Sequence, residues 1–170
     1  MINVFKSFTQ IRLEDHKSQA AEADVLAIDE NKITSIFIPV VSPNGAGIDF
    51  FVKEGDQVSV GTLIGRRKDF YVPIYSSVSG IVKGRVSRYN PLVGRTTEHI
   101  EIANDFKKTR AKLLKTISFD SDAKEIIAAI KEAGIVGLGG AGFPAYFKYE
   151  NSSNIDTVII NGVECEPYLS

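Results

Sequence analysis

Residues 134–142 read Gly-Ile-Val-Gly-Leu-Gly-Gly-Ala-Gly and hold five of the chain's fourteen glycines, with Phe143-Pro144 directly after them. A stretch this bare loses backbone entropy on folding and carries too few side chains to build a core. It excludes a helix or strand interior at that place and separates the regular structure before it from the structure after it. It also leaves peptide N–H groups open to close approach, the usual arrangement where main chain meets a phosphate or a flat cofactor.

Upstream, strand-length apolar pieces follow one another at short intervals. Residues 31–40 read as a strand closed by Pro39, residues 42–47 as a turn, and further strands are expected at 48–52, 57–60, 62–64, 70–74, 80–86 and 99–103. Gly55-Asp56, Gly61, Gly65, Gly80 and Gly94 punctuate them, which predicts a compact all-β sandwich or barrel. Residues 1–30 show no clear period. Residues 105–120 begin with a run rich in Lys and Arg and read as a linker or an exposed helix.

The period then changes. Ala123, Ile126, Ile127, Ile130 and Ala133 share one helical stripe. Asp122 with Glu125 three positions on predicts an N-cap and capping box, and Gly134 stands where a C-terminal cap belongs. Pro144 suits the first turn of a second helix running towards Glu150. Residues 151–154 break it, and the β-branched run 157–160 reads as a buried strand. The expected class is α+β: an N-terminal segment 1–30, an all-β domain 31–104, a linker 105–120 and the start of an α/β domain at 121–170.

Composition narrows the function. Hydrophobic residues at 44% and charged residues at 24% suit a water-soluble domain, and no apolar run nears the roughly 20 residues that span a bilayer. The N-terminus has no signal-like apolar core. One cysteine, Cys165, excludes an internal disulfide and cannot by itself hold an iron–sulfur cluster, and it fits a reducing, cytoplasmic setting. The net charge of −1 hides an uneven spread, since residues 66–115 carry twelve Lys/Arg against four Asp/Glu. That excess reads either as a surface for an acidic partner or an anionic cofactor tail, or as a solvated domain edge with a charged linker. Without interleaved stacking aromatics it does not indicate nucleic acid.

Two motifs carry a resemblance. Residues 52–58, Val-Lys-Glu-Gly-Asp-Gln-Val, with Gly61, Ile64 and Ser79-Gly80-Ile81-Val82, resemble the barrel-sandwich hybrid of biotinyl and lipoyl domains. Lys68 falls near the hairpin tip where such carriers are modified, but its neighbours are neither Met-Lys-Met nor Asp-Lys-Ala, so a solvated tip is the alternative. The second motif is Gly137-Leu138-Gly139-Gly140-Ala141-Gly142-Phe143-Pro144 with Lys148, then residues 160–168, Ile-Asn-Gly-Val-Glu-Cys-Glu-Pro-Tyr. It is similar to the flavin-binding core of the RnfC subunit of Rnf electron-transport complexes, and more distantly to the flavin subunit of respiratory complex I and to RnfC-like cobalamin reductases. RnfC proteins also place a lipoyl-like domain just before this core, and His16-Lys17 look like that family's amino-terminal region.

An ordinary Rossmann fingerprint needs a strand before its glycines, and here a helix comes first. Gly137, Gly139, Gly140 and Gly142 instead let main-chain N–H groups lie against a flavin or its phosphate, with Lys148 as a cationic donor and Phe143 placed to stack on the nucleotide. The resemblance implies that Asn161 bonds the isoalloxazine edge and that Glu164 and Glu166 approach the flavin and the nicotinamide nucleotide's ribose. Taken singly, each has a plainer reading: the glycines as close helix packing, Lys148 as a solvated helix residue, Asn161-Gly162 as a turn, the glutamates as surface carboxylates.

By resemblance the intact protein uses FMN and NADH and passes electrons to iron–sulfur clusters in a later segment. Its partners are the other subunits of an ion-translocating membrane complex, and it lies peripherally at the cytoplasmic face. Residues 42–45, Ser-Pro-Asn-Gly, replace the family's His-Ile-Gly, and residues 73–76, Pro-Ile-Tyr-Ser, replace Pro-Val-His-Ala. Those departures are expected to touch the β-domain's docking surface and not the flavin loop. The family continues well past Ser170, so a truncated piece, inactive alone, is expected. The rival readings are a non-catalytic docking module and a cobalamin reductase component.

Overall fold

The computed structural model describes residues 24, 26–112, 114–137, 142–150 and 155–160. They fall into two units, one spanning Asp29–Asn154 and the other made of Met1–Ile28 with Ile155–Ser170.

The larger unit opens with a 3-10 turn, Glu30–Lys32, whose N-cap Asp29 accepts from the Asn31 amide at 3.1 Å. Seven strands follow: β1 (Ser35–Pro39), β2 (Ile48–Phe50), β3 (Gln57–Val58), β4 (Leu63–Arg67), β5 (Pro73–Tyr75), β6 (Gly80–Asn90) and β7 (Arg95–Asn104). They form a four-stranded sheet in the order β1-β7-β6-β3 and a three-stranded sheet in the order β2-β4-β5. Every pairing within these sheets is antiparallel. Val58, Ile64, Val82, Ile100 and Ile102 interlock as the core, with Ile36, Ile38, Phe50, Val52, Ile74 and Val78 packed around them. Alternate residues of β6 and β7 supply this core because a pleated strand sends successive side chains to opposite faces.

The Gly-Asp and Ser-Gly marks fall where the strands require them. The Asp56 amide donates to the Lys53 carbonyl at 3.1 Å, closing a turn ahead of β3, and Gly80 opens β6. The β6–β7 hairpin runs well beyond the expected ends to Asn90 and Arg95, since its outer half is polar on both faces and shows no period. Residues 105–112 are not helical. They lie along the barrel, where the Val60 amide donates to the Thr109 carbonyl at 2.9 Å and the Val60 carbonyl accepts from Ala111 at 2.8 Å in a parallel bridge. Lys and Arg side chains there stay in solvent while the main chain takes barrel hydrogen bonds.

Helix α1 (Ala123–Glu132) starts as expected, with the Glu125 amide donating to Asp122 Oδ1 at 2.8 Å. The reciprocal half of the capping box is replaced, because the Glu125 carboxylate takes Lys115 Nζ at 2.6 Å. The apolar stripe of α1 is only half covered, and none of its residues is fully buried. Helix α2 (Ala145–Glu150) begins directly after Pro144. No helix among the described residues is long and apolar enough to cross a membrane.

The smaller unit overturns one expectation. Residues 157–160 form no strand, and Val158, Ile159 and Ile160 are 80%, 87% and 89% exposed. Branched side chains favour a strand by fitting a pleated, half-buried surface. Among the described residues no neighbouring strand supplies that surface.

Candidate functional site

The site is built from the end of α1 forward. Gly134, at φ +66°, closes the helix: its amide donates to Lys131 at 3.1 Å and the Ile135 amide reaches Ile130 at 3.4 Å. These two bonds are a Schellman closure, which needs a left-handed residue at that place. A Cβ on Gly134 would lie 2.7 Å from the Pro73 carbonyl oxygen, so the helix end rests directly on β5. Two tyrosines hold it there. Tyr75 donates to the Glu132 carbonyl at 2.7 Å, and Tyr71 to the Glu132 carboxylate at 2.9 Å. That carboxylate bond raises the Tyr71 pKa, while burial and the Glu132 charge raise that of Tyr75, so both phenols remain donors at neutral pH.

The chain then enters the glycine loop through a closed base. Val136 bridges Pro144, Gly137 donates to the Phe143 carbonyl at 2.9 Å, and Ala145 donates to Ile135 at 2.9 Å. Gly142, at φ +61°, is buried, and its carbonyl accepts from Arg67 Nη1 at 2.6 Å. Arg67 reaches it from the end of β4 with a side chain only 6% exposed. The rest of its guanidinium grips Asp69, Nε at 3.0 Å from Oδ1 and Nη2 at 2.5 Å from Oδ2.

Asp69 is held in turn from the opposite side. Asn44 Nδ2 donates to it at 2.8 Å, and the Ser42 hydroxyl donates to Asn44 Oδ1. Burial pushes the Asp69 carboxyl up, but hydrogen bonds from Arg67, Asn44 and the Phe70 amide outweigh it and bring the pKa down to about 2. Beside this clamp Phe70, Phe143 and Phe147 meet edge to face, with centroids 5.4 to 5.7 Å apart.

Of the residues singled out from sequence, Gly137, Gly142 and Phe143 lie at the loop's base, and Lys148 lies on the helix that follows. Lys148 is exposed and pairs with no acid among the described residues, and Phe143 keeps 39% of its surface open. Gly139, Gly140, Asn161, Glu164 and Glu166 fall outside the described residues, as do His16, Lys17 and Cys165. Lys68 sits on the β4–β5 hairpin with Nζ 3.1 Å from Asp49, and its amide donates to Gly47 at 3.0 Å.

Sequence reasoning misses the roles of Arg67 and Asp69, which lie in what reads as a solvated tip, of Tyr71, which lies in an expected strand, and of Tyr75, which lies in a segment read as part of a docking surface. An arginine two residues before an aspartate, with Phe70-Tyr71 next to them, is the available signal. The departures at 42–45 and 73–76 also prove closer to the loop than expected, since Asn44 backs the clamp and Tyr75 holds α1. The β4–β5 hairpin, Asn44 and the loop's exit at Gly142 are joined in one contact.

Two family models match the chain: the RnfC Barrel sandwich hybrid domain over residues 7–107 and the Nuo51 FMN-binding domain over residues 130–170. Among curated relatives, a component of the proton-translocating ferredoxin:NAD(+) oxidoreductase complex of Clostridium ljungdahlii is 37% identical over 140 residues, 79% of this chain and 30% of that protein. The corresponding component of the Na(+)-translocating ferredoxin:NAD(+) oxidoreductase complex of Acetobacterium woodii is 36% identical over 79% of this chain and 31% of its own length. A component of the ion-translocating oxidoreductase complex of Pectobacterium atrosepticum is 29% identical over the whole chain and 26% of its own length. The chain thus spans about a third or less of these relatives.

Proposed function

The chain belongs to the RnfC family, and on that premise we propose that it is the amino-terminal part of an electron-transfer subunit whose FMN site is built on the glycine loop. The observation that carries this reading is the closed base of that loop, with a buried, left-handed Gly142 and, just beyond it, a Lys148 that pairs with no acid among the described residues. A base so closed brings Gly137 and Gly142 together, and an available cation on the helix beside it suits a phosphate tail.

The donor set fits FMN. Gly137, Gly139, Gly140 and Gly142 would allow close main-chain approach, Lys148 would meet the phosphate, and the open part of Phe143 would lie against a nucleotide ring. The resemblance assigns Asn161 to the isoalloxazine edge and Glu164 and Glu166 to the flavin and a nicotinamide ribose, and all three lie outside the described residues. FMN, when bound, supplies the exchange between two-electron transfer from NADH and one-electron transfer to iron–sulfur clusters elsewhere in the intact subunit. This chain's own task is to hold the cofactor still, keep Phe143 packed on Phe70 and limit water at the loop's exit. Other subunits of an ion-translocating complex are its proposed partners, at the cytoplasmic face of the membrane.

Titration of the purified protein, at the length its gene encodes, with FMN tests the reading. Saturable one-to-one quenching of flavin fluorescence and bleaching of the bound flavin by NADH are expected. A colourless protein that leaves FMN fluorescence unquenched overturns it.

A further inference from the structure

We infer that Arg67 is a positioning residue at the base of the flavin site: it fixes the Gly142 carbonyl and so ties the entry to α2 to the β-domain. The inference rests on the FMN reading above and adds the group that holds the site in place. Three observations carry it. The Arg67 side chain is 6% exposed, a burial that a cation tolerates only when it is paired and hydrogen-bonded. Its planar fork divides its donors, two towards Asp69 and one towards a carbonyl 75 positions later in the chain. Asp69 is itself oriented by Asn44, so the donor aimed at Gly142 is held from two sides.

A carbonyl held in this way fixes the peptide plane that follows Gly142, and with it the direction in which the chain enters α2. Lys148 rides on that helix and Phe143 is the next residue. One guanidinium therefore sets the position of both described side chains assigned to the cofactor. Lysine cannot replace it, because a single ammonium point cannot serve a bidentate carboxylate and a carbonyl together in the same geometry.

The test uses Arg67→Met, Arg67→Lys and the control Ile102→Val, which loosens the barrel core without touching Arg67 or Gly142, all in the protein at native length. FMN affinity is read by fluorescence titration, the bound flavin's midpoint potential by redox titration, and amide exchange at Gly137 by NMR or mass spectrometry. Arg67→Met is expected to speed exchange at Gly137, weaken FMN about tenfold and shift the potential. Arg67→Lys should fall between wild type and Met, and Ile102→Val should lower the melting temperature while leaving FMN affinity near wild type. Unchanged exchange at Gly137 in Arg67→Met overturns the strut, and so does faster exchange with unchanged FMN affinity and potential. An equal loss of FMN affinity in Ile102→Val would reduce Arg67 to general packing and overturn it too. Failure of the wild-type protein to bind FMN is a separate result, seen before any variant is made, and it refutes the flavin assignment.

Discussion

Replacing Gly134 by alanine should cost far more than replacing Gly94, although the two residues have almost the same backbone angle. Gly134 has φ +66° and Gly94 φ +67°, so a Cβ at either place meets the same left-handed strain, about 1 kcal/mol. Their surroundings differ. Nothing lies within 4 Å of a Cβ on Gly94, whereas one on Gly134 would stand 2.7 Å from the Pro73 carbonyl oxygen. That oxygen is backbone within β5 and cannot turn aside, so the end of α1 must lift, as in overpacking of a tight contact, for about 2 kcal/mol more. Lifting also strains the Tyr75 bond to Glu132. Urea unfolding at constant slope should therefore show Gly134→Ala destabilised by about 3 kcal/mol and Gly94→Ala by about 1 kcal/mol. Equal losses would show that α1 does not rest on the barrel and would remove the physical basis for placing the glycine loop beside the β4–β5 hairpin.

Other consequences are open to measurement. Asp69 has a folded pKa of about 2, below the ordinary 3.8, so its contribution is complete above about pH 4 and is lost as pH falls through 2. Because Asp69 is exposed at the surface, solvent screening leaves the contribution at about 1 kcal/mol. Urea unfolding from pH 5 to pH 2 should show a stability gap between wild type and Asp69→Asn that closes towards pH 2, and a gap that stays constant contradicts the clamp. Ile102 is fully buried between both sheets, so Ile102→Ala should lose about 3 kcal/mol in the same assay; a loss under about 1 kcal/mol would mean that this core is not what holds the barrel. Lys148→Ala should weaken FMN about tenfold with no change in melting temperature, because the residue is exposed and supports no described contact. Full affinity in that variant would place the phosphate elsewhere.

What the chain discloses before folding depends on whether a residue acts through its neighbours in sequence. Gly55-Asp56, Asp122 and Gly134 act locally, through a turn or a cap within five residues, and each falls where its type predicts. The outer half of the β6–β7 hairpin has no apolar alternation because both of its faces are polar, so only its backbone pairing reveals it. Residues 105–112 are ambiguous for a related reason, since their hold on the barrel is made by main-chain groups that carry no compositional mark. Arg67 is the sharper case. In Arg66-Arg67-Lys68-Asp69 the three cations look alike, yet Lys68 and Arg66 face outwards while Arg67 is buried, and only the partner at Gly142 separates them. The β-branched run at 157–160 shows the opposite error, because a strong local preference produces no strand without a neighbour.

The contact between hairpin and loop bears on what the β-domain is for. A carrier domain needs its hairpin tip free, so that a modified lysine can swing between distant sites. Here the same hairpin is committed along its length. The Lys68 amide is bound to Gly47, Arg67 and Asp69 are locked together, Phe70 packs on Phe143 and Phe147, and Tyr71 and Tyr75 hold the end of α1. A hairpin anchored at so many successive residues is committed to the contact with the loop, and the Lys68 ammonium pairs with Asp49 at the surface. The departures from the family pattern at Asn44 and Tyr75 fall on this surface as well, which makes them adjustments of one contact and not two unrelated changes. The barrel is therefore better understood as a rigid shelf whose hairpin holds Gly142 and the end of α1 at the base of the glycine loop.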